Sequence, residues 1–271
     1  MTDHERTNAM YRRRTEQYVR DVGSGPTVVF SHGTLMDRTM FDPQLDALSD
    51  EYRAIAYDSR ARTDRWRGPY DLNDLADDCV SVMDALTVDR AVLVGMSMGG
   101  FMALRFALRH PERLAGLVLI DSKADAYTEA ERAEYGAMVD QLEGVEDVPR
   151  ELAELVTTTL FGETTRRERP EQVEHWLNRW LTYPSAAVKY EIESWLDAPD
   201  LTDRLAEIDV PVLVVHGEED VAIDSTRAKS MLEHFPDGRF VGVPGAGHSS
   251  NTEQPDVVNE ALRAFLDEIY D

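Results

Sequence analysis

Cysteine is nearly absent from this chain of 271 residues. Cys79 is the only one, so no internal disulfide can form, and a cytoplasmic setting is expected. Lysine is almost as scarce, limited to Lys123, Lys189 and Lys229. Lysine and arginine together number 28 against 52 aspartates and glutamates, a formal net charge of -24. A polyanion would be repelled by such a surface, so no nucleic-acid partner is expected. No apolar run approaches the ~20 residues that span a bilayer. The opening stretch MTDHERTNAMYRRR lacks the apolar segment of a signal peptide, so no membrane partner is expected either. No G-x-G-x-x-G follows a strand-like run, and no His/Cys/Asp group has metal-ligand spacing. The chain is therefore expected to work without a cofactor or a metal.

What is present points to a globular protein. Hydrophobic residues make up 42% and charged residues 30%, as in a globular rather than a disordered chain, and 271 residues are enough for one large α/β domain with an insertion. Near-continuous apolar runs recur at 27–33, 53–59, 91–97, 114–122, 210–217 and 239–245. Such runs read as strands covered on both faces of a parallel sheet. Residues 15–22, TEQYVRDV, read as an antiparallel first strand. Helical periodicity fills 43–49, 71–87, 98–110, 225–235 and 253–269. In the second of these, Leu72, Leu75, Ala76, Cys79, Val82, Met83 and Leu86 form one stripe. The alternation predicts a doubly wound α/β fold with a mostly parallel sheet. Residues 123–205 interrupt it with helical, aromatic-rich segments. The expected division is a core of residues 1–122 and 206–271, with residues 123–205 as an inserted helical cap over the strand ends, where ligands bind in such sheets.

One apolar run ends in a polar residue. Gly95-Met96-Ser97-Met98-Gly99 follows a predicted strand and opens a predicted helix. This G-x-S-x-G context marks a sharp turn that would display Ser97 as a nucleophile. A serine needs a base, and His248 stands in the loop VPGAGHSSN after the last predicted strand. Asp220, just past the strand ending VVHG, is the expected orienting acid. Asp121, ending LVLID, is its rival. His32 and His216 end strands just before glycines and read as packing or turn residues. Backbone N–H groups of Met98 and Thr34 would form the oxyanion hole. Leu35 and Met36 are candidate pocket residues by position. So are the aromatics Trp176 and Trp180, with Tyr183, Tyr190 and Trp195, although aromatics at helical spacing more often belong to a core. Arg60 and Arg62 read as ion-pair residues.

The stretches MFDPQLDALSDEYRAIAYDSR, GPYDLNDLADDCVSVMDAL, GMSMGG and GAGHSSNTEQPD resemble the α/β-hydrolase superfamily. They are most similar to the 3-oxoadipate enol-lactonase group and related small esterases. The chain departs from that pattern after YDSR, where Ala61, Arg62 and Thr63 replace the usual Gly-x-Gly. The resemblance implies an α/β-hydrolase fold. It also implies hydrolysis of a small carboxylic ester or lactone through an acyl-enzyme on Ser97, with Asp220 and His248 and without cofactor. Haloalkane dehalogenases and epoxide hydrolases would need aspartate at position 97. The same constellation would serve a perhydrolase or acyltransferase, or a slow-turnover receptor of the same fold. The expected partner is a small-molecule ester or lactone, with homo-oligomer formation left open.

The acidic excess carries its own expectation. Self-repulsion at this charge destabilises the compact state, and molar salt shrinks the Debye length to ~3 Å. A halophilic protein is expected. The melting temperature should climb from dilute buffer to molar KCl, and a flat profile would contradict the reading.

Overall fold

The computed structural model describes residues 2–270. Its first element is a helix, α1 (Asp3–Arg13), then a single helical turn, α2 (Thr15–Tyr18), and strands β1 (Val19–Val22) and β2 (Thr27–Ser31). Helix α3 (Asp42–Leu48), β3 (Arg53–Tyr57), α4 (Leu72–Ala85), β4 (Ala91–Met96), α5 (Met98–Arg109) and β5 (Leu114–Ile120) follow in alternation. Five helices are then inserted: α6 (Glu129–Gln141), α7 (Arg150–Leu160), α8 (Glu163–Glu168), α9 (Pro170–Trp180) and α10 (Ser185–Leu196). The alternation resumes with β6 (Val212–Gly217), α11 (Ser225–Ser230), β7 (Gly238–Val243), α12 (Ser250–Glu253) and α13 (Pro255–Tyr270).

The seven strands form one sheet in the order β1-β3-β2-β4-β5-β6-β7. Only β1 runs antiparallel, against β3. β4 and β5 lie at the centre and are buried along their whole length, as apolar strands covered by helices on both faces should be. Register brings the carboxyl ends together. Ser31 of β2 faces Gly95 of β4, and Met96 of β4 faces Ile120 of β5. The loops after β2, β4, β5 and β6 therefore open on one edge, beneath the inserted helices. None of the described helices is long and apolar enough to cross a membrane.

Two expectations need correction, and one element has no expectation behind it. The first strand is half as long as the expected 15–22. Residues 15–18 wind into a helical turn in which Tyr18 N–H donates to Arg14 O, and pairing starts only at Val19, opposite the last residue of β3. The helix expected at 253–269 is broken at Gln254, because Pro255 disfavours helical backbone in the residue before it. Helix α1 had no counterpart in the sequence reading. A capping box joins Thr2 to Glu5. The helix is held by polar contacts: Thr7 Oγ1 to Asp78 at 3.2 Å, Arg65 to Asp3 at 2.6 Å, and the Tyr11 hydroxyl to Asp58 O at 2.6 Å. With no apolar stripe, it is invisible to a search for periodicity.

Candidate active site

The turn between β4 and α5 sets the geometry. Ser97 has φ +49°, a left-handed conformation that costs a serine about 1–3 kcal/mol. Its neighbours hold it there. Ser97 N–H donates to Ile120 O at 2.8 Å, and Ser122 Oγ donates to Ser97 O at 3.2 Å. The glycines are required by close approach. A Cβ on Gly95 would collide with the backbone of Gly99, and one on Gly99 with the carbonyl of Ser31. Only at that spacing can the helix start so near the sheet.

The loop after β7 brings His248 to this turn. His248 Nε2 lies 2.8 Å from Ser97 Oγ, and His248 Nδ1 lies 2.8 Å from Asp220 Oδ2. With the carboxylate accepting from Nδ1–H, Nε2 is free to accept from the serine hydroxyl. Burial alone would lower the His248 pKa. The Asp220 charge and hydrogen bond, with Asp121 behind them, outweigh burial and raise it above 6.5. A hydroxyl, an imidazole and a carboxylate in this sequence can generate a nucleophile and shuttle its proton. Asp220 is itself fixed, since Oδ1 accepts from Ala222 N–H at 2.8 Å and Ile223 N–H at 3.1 Å.

Asp121 has another task. Its Oδ1 accepts from Gly217 N–H at 2.8 Å and its Oδ2 from Ser250 N–H at 3.0 Å. It thus ties the end of β5 to β6 and to the histidine loop. Burial and the nearby Asp220 charge push its pKa well above the usual carboxylate range. His216, read from sequence as a packing residue, does more than fill space. Its Nε2 lies 2.8 Å from Ile223 O and 3.2 Å from Asp220 Oδ2. The His216–Asp220 spacing of four residues was the available signal. Asp121, His216 and Asp220 bring ligand-type atoms within 4.8 Å of one another, a grouping that sequence spacing did not reveal. Each residue already takes part in a hydrogen bond with His248 or with the surrounding loops.

A cavity of about 70 Å³ opens onto Ser97 and His248. That is small beside the ~300–1,000 Å³ of drug-sized sites. Thr34 and Leu35 line it, as expected from their position, with Phe101, Tyr127, Tyr135 and Trp195 forming an aromatic wall. Trp195 is central to that wall, 5.1 Å from Tyr127 and 5.0 Å from Tyr135 between ring centroids. The remaining lining residues include Met138, Leu160 and Ile192, and none is lysine or arginine. Met98 is buried at the start of α5.

Met36, Trp176 and Trp180 do not line the cavity. Met36 and Trp180 are fully buried and Trp176 is 4% exposed. Helix α9 turns its aromatic stripe inward, where Trp180 stacks on Phe161 at 6.1 Å. Aromatics at helical spacing have here made core. Arg60 and Arg62 are ion-paired, with Asp78 and Glu191 respectively.

A strained serine at a strand–helix turn, with histidine and aspartate from later loops, defines a class of α/β enzyme. The chain belongs to the alpha/beta hydrolase family, which matches residues 28–261, and it is a hydrolase. AB hydrolase superfamily protein YisY of Bacillus subtilis (strain 168) is 30% identical over 258 residues, covering 92% of this chain and 94% of that protein. A thermophilic esterase from Thermogutta terrifontis, solved with malate bound, is 31% identical with a TM-score of 0.87 over 93% of each chain. The enol-lactonase from Burkholderia xenovorans LB400 is 25% identical with a TM-score of 0.85, covering 92% of this chain and 96% of that one.

The placement of the tryptophan can be measured. Trp180→Ala should cost about 3–5 kcal/mol in chemical denaturation, as loss of a buried aromatic does. Tyr135→Ala, on the half-buried cavity wall, should cost far less. Equal losses would contradict the core assignment of Trp180.

Proposed function

We propose that the protein is a serine hydrolase of small, uncharged carboxylic esters or lactones, working through an acyl-enzyme on Ser97. The observation that carries this reading is the unbroken hydrogen-bonded chain from Ser97 Oγ through His248 to Asp220, 2.8 Å at each step. Esterase and enol-lactonase relatives of the same fold support it. The apolar cavity without a cation favours a neutral substrate, and its size favours a short acyl group.

Attack by Ser97 Oγ on the carbonyl carbon transfers the hydroxyl proton to His248 Nε2. The Asp220 carboxylate holds the imidazolium as it forms. The N–H groups of Met98 and Thr34 receive the developing oxyanion, each such donor being worth ~10²–10³ in turnover. His248 then gives its proton to the departing alcohol or enol oxygen. Water, deprotonated by His248, attacks the acyl carbon and releases the acid and the free serine. In this reading the inserted helices act as a cap, with Tyr135 and Trp195 shaping the acyl pocket.

The test is kcat/KM against pH with a p-nitrophenyl ester of a short acid. His248 must be neutral to accept the proton. Its pKa is raised, so activity should fall on acidification with a midpoint above 6.5. Ser97→Ala should lose several orders of magnitude. Asp220→Asn should lose about 10⁴-fold and Asp121→Asn under about tenfold, by analogy with the serine-protease triad. An active Ser97→Ala would overturn the proposal, and the reverse order of the two aspartates would move the acid to Asp121.

A further inference from the structure

Helix α10 reaches out of the insertion and grips the loop after β2 at two adjacent points. Glu191 Oε2 accepts from Leu35 N–H at 3.0 Å. One turn later, Trp195 Nε1–H donates to Thr34 Oγ1 at 2.9 Å. The two residues are four apart and so lie on one face of the helix. Ile192 and the Trp195 ring, from the same helix, line the cavity in front of Ser97.

Glu191 would not be placed here for packing alone. It is fully buried, and its carboxylate is matched by the buried Arg62 guanidinium, Nη2 to Oε2 at 2.8 Å. Arg62 is anchored in turn, donating from Nε to Met36 O at 2.9 Å and lying 4.1 Å over the Tyr183 ring. A charged pair costs desolvation, and an apolar pair of similar volume would pack as well or better. What an apolar pair cannot supply is an acceptor for Leu35 N–H. Leu35 has φ +64°, a conformation that a non-glycine residue keeps only when its surroundings impose it. Glu191 and Trp195 are the two surrounding groups that hold Thr34 from its side chain and from its following peptide.

We propose that Glu191 and Trp195 are positioning residues for the oxyanion hole: helix α10 sets the Thr34–Leu35 backbone so that the Thr34 N–H points at the developing oxyanion, with the Arg62 guanidinium paired to the buried Glu191 carboxyl group. The inference rests on the serine-hydrolase reading above and adds a coupling to it. The helix that contacts the acyl group also holds the oxyanion donor, so a poorly fitting acyl group that shifts α10 lowers kcat as well as affinity.

The experiment compares two charge-neutral double variants, E191L/R62M and E191Q/R62M. Both remove the buried ion pair. Only the glutamine keeps an oxygen where Oε2 accepts from Leu35 N–H. Each is assayed for kcat and KM with a short-chain p-nitrophenyl ester, for inhibition by a trifluoromethyl ketone, whose adduct forms an oxyanion, and for folding by melting temperature. E191L/R62M should lose ~10-fold or more in kcat with KM within about twofold, and its ketone inhibition should weaken by the same factor as kcat/KM. E191Q/R62M should stay within about threefold of the parent on both measures. Unchanged kcat and ketone inhibition in folded E191L/R62M would overturn the proposal. So would equal losses in both variants, which would assign the effect to the ion pair's packing. Where E191L/R62M does not fold, Trp195→Phe takes its place, removing the Thr34 Oγ1 bond but keeping a ring. It should lower kcat and weaken ketone inhibition in parallel, and a change in KM alone would overturn the proposal. Fluorophosphonate labelling of the parent protein separates the two levels. No labelling at Ser97 would defeat the hydrolase reading itself, whereas labelling with indifferent variants would defeat only the role of α10.

Discussion

A single strained residue organises the site. Ser97 must hold φ +49° for its hydroxyl to stand clear of the sheet, and that conformation persists only because its surroundings impose it. The sheet supplies Ile120 O for the Ser97 N–H, and Ser122 donates to the Ser97 carbonyl. The first turn of α5 adds the N–H groups of Gly100 and Phe101 to the same carbonyl, at 2.8 and 3.0 Å. These bonds leave the side chain as the one part of Ser97 free to do chemistry.

The loops around that turn are fastened by buried carboxylates that accept from backbone N–H groups. Asp121 holds Gly217 and Ser250. Glu253 holds Gly247 and Ser249 of the histidine loop and reaches Gly162 in the insertion at 2.8 Å. Glu191 holds Leu35. An acid used this way needs its hydrogen bonds, because a buried carboxylate without them is costly. The insertion is thereby tied to two of the loops that carry site residues. It meets the histidine loop at Gly162. It meets the loop after β2 at Leu35, at Thr34, and at Asp37, which pairs with Arg179 and accepts from the Tyr183 hydroxyl at 3.0 Å. The inserted helices are part of the site's frame.

Much of this was legible in the residues. Six of the seven strands and the insertion follow from apolar runs and their interruption, and the candidates Ser97, Asp220 and His248 from turn glycines and chain order, which are local signals. What escaped the sequence has non-local causes. Helix α1 is held by arginine–aspartate contacts to residues some 60 positions away, and its polar composition hides it. Trp176 and Trp180 could not be told from Trp195, since all three sit on amphipathic helices and only the packing angle decides which stripe meets the cavity. Arg62 read correctly as an ion-pair residue, but its partner Glu191 lies 129 residues on, within a helix whose position over the sheet is set by tertiary contacts. His216 reads as a packing or turn residue because its contact to Asp220 depends on the turn after β6.

The central claim is that Ser97 carries the acyl group. The most direct measurement is rapid quenching of a p-nitrophenyl ester reaction at pH 5, below the raised His248 pKa, where deacylation is slowed, followed by peptide mass spectrometry. The account predicts the acyl mass on the peptide containing Ser97, with one p-nitrophenol released per protein in the burst. Acylation at another residue, or turnover with no covalent adduct at Ser97, would contradict it.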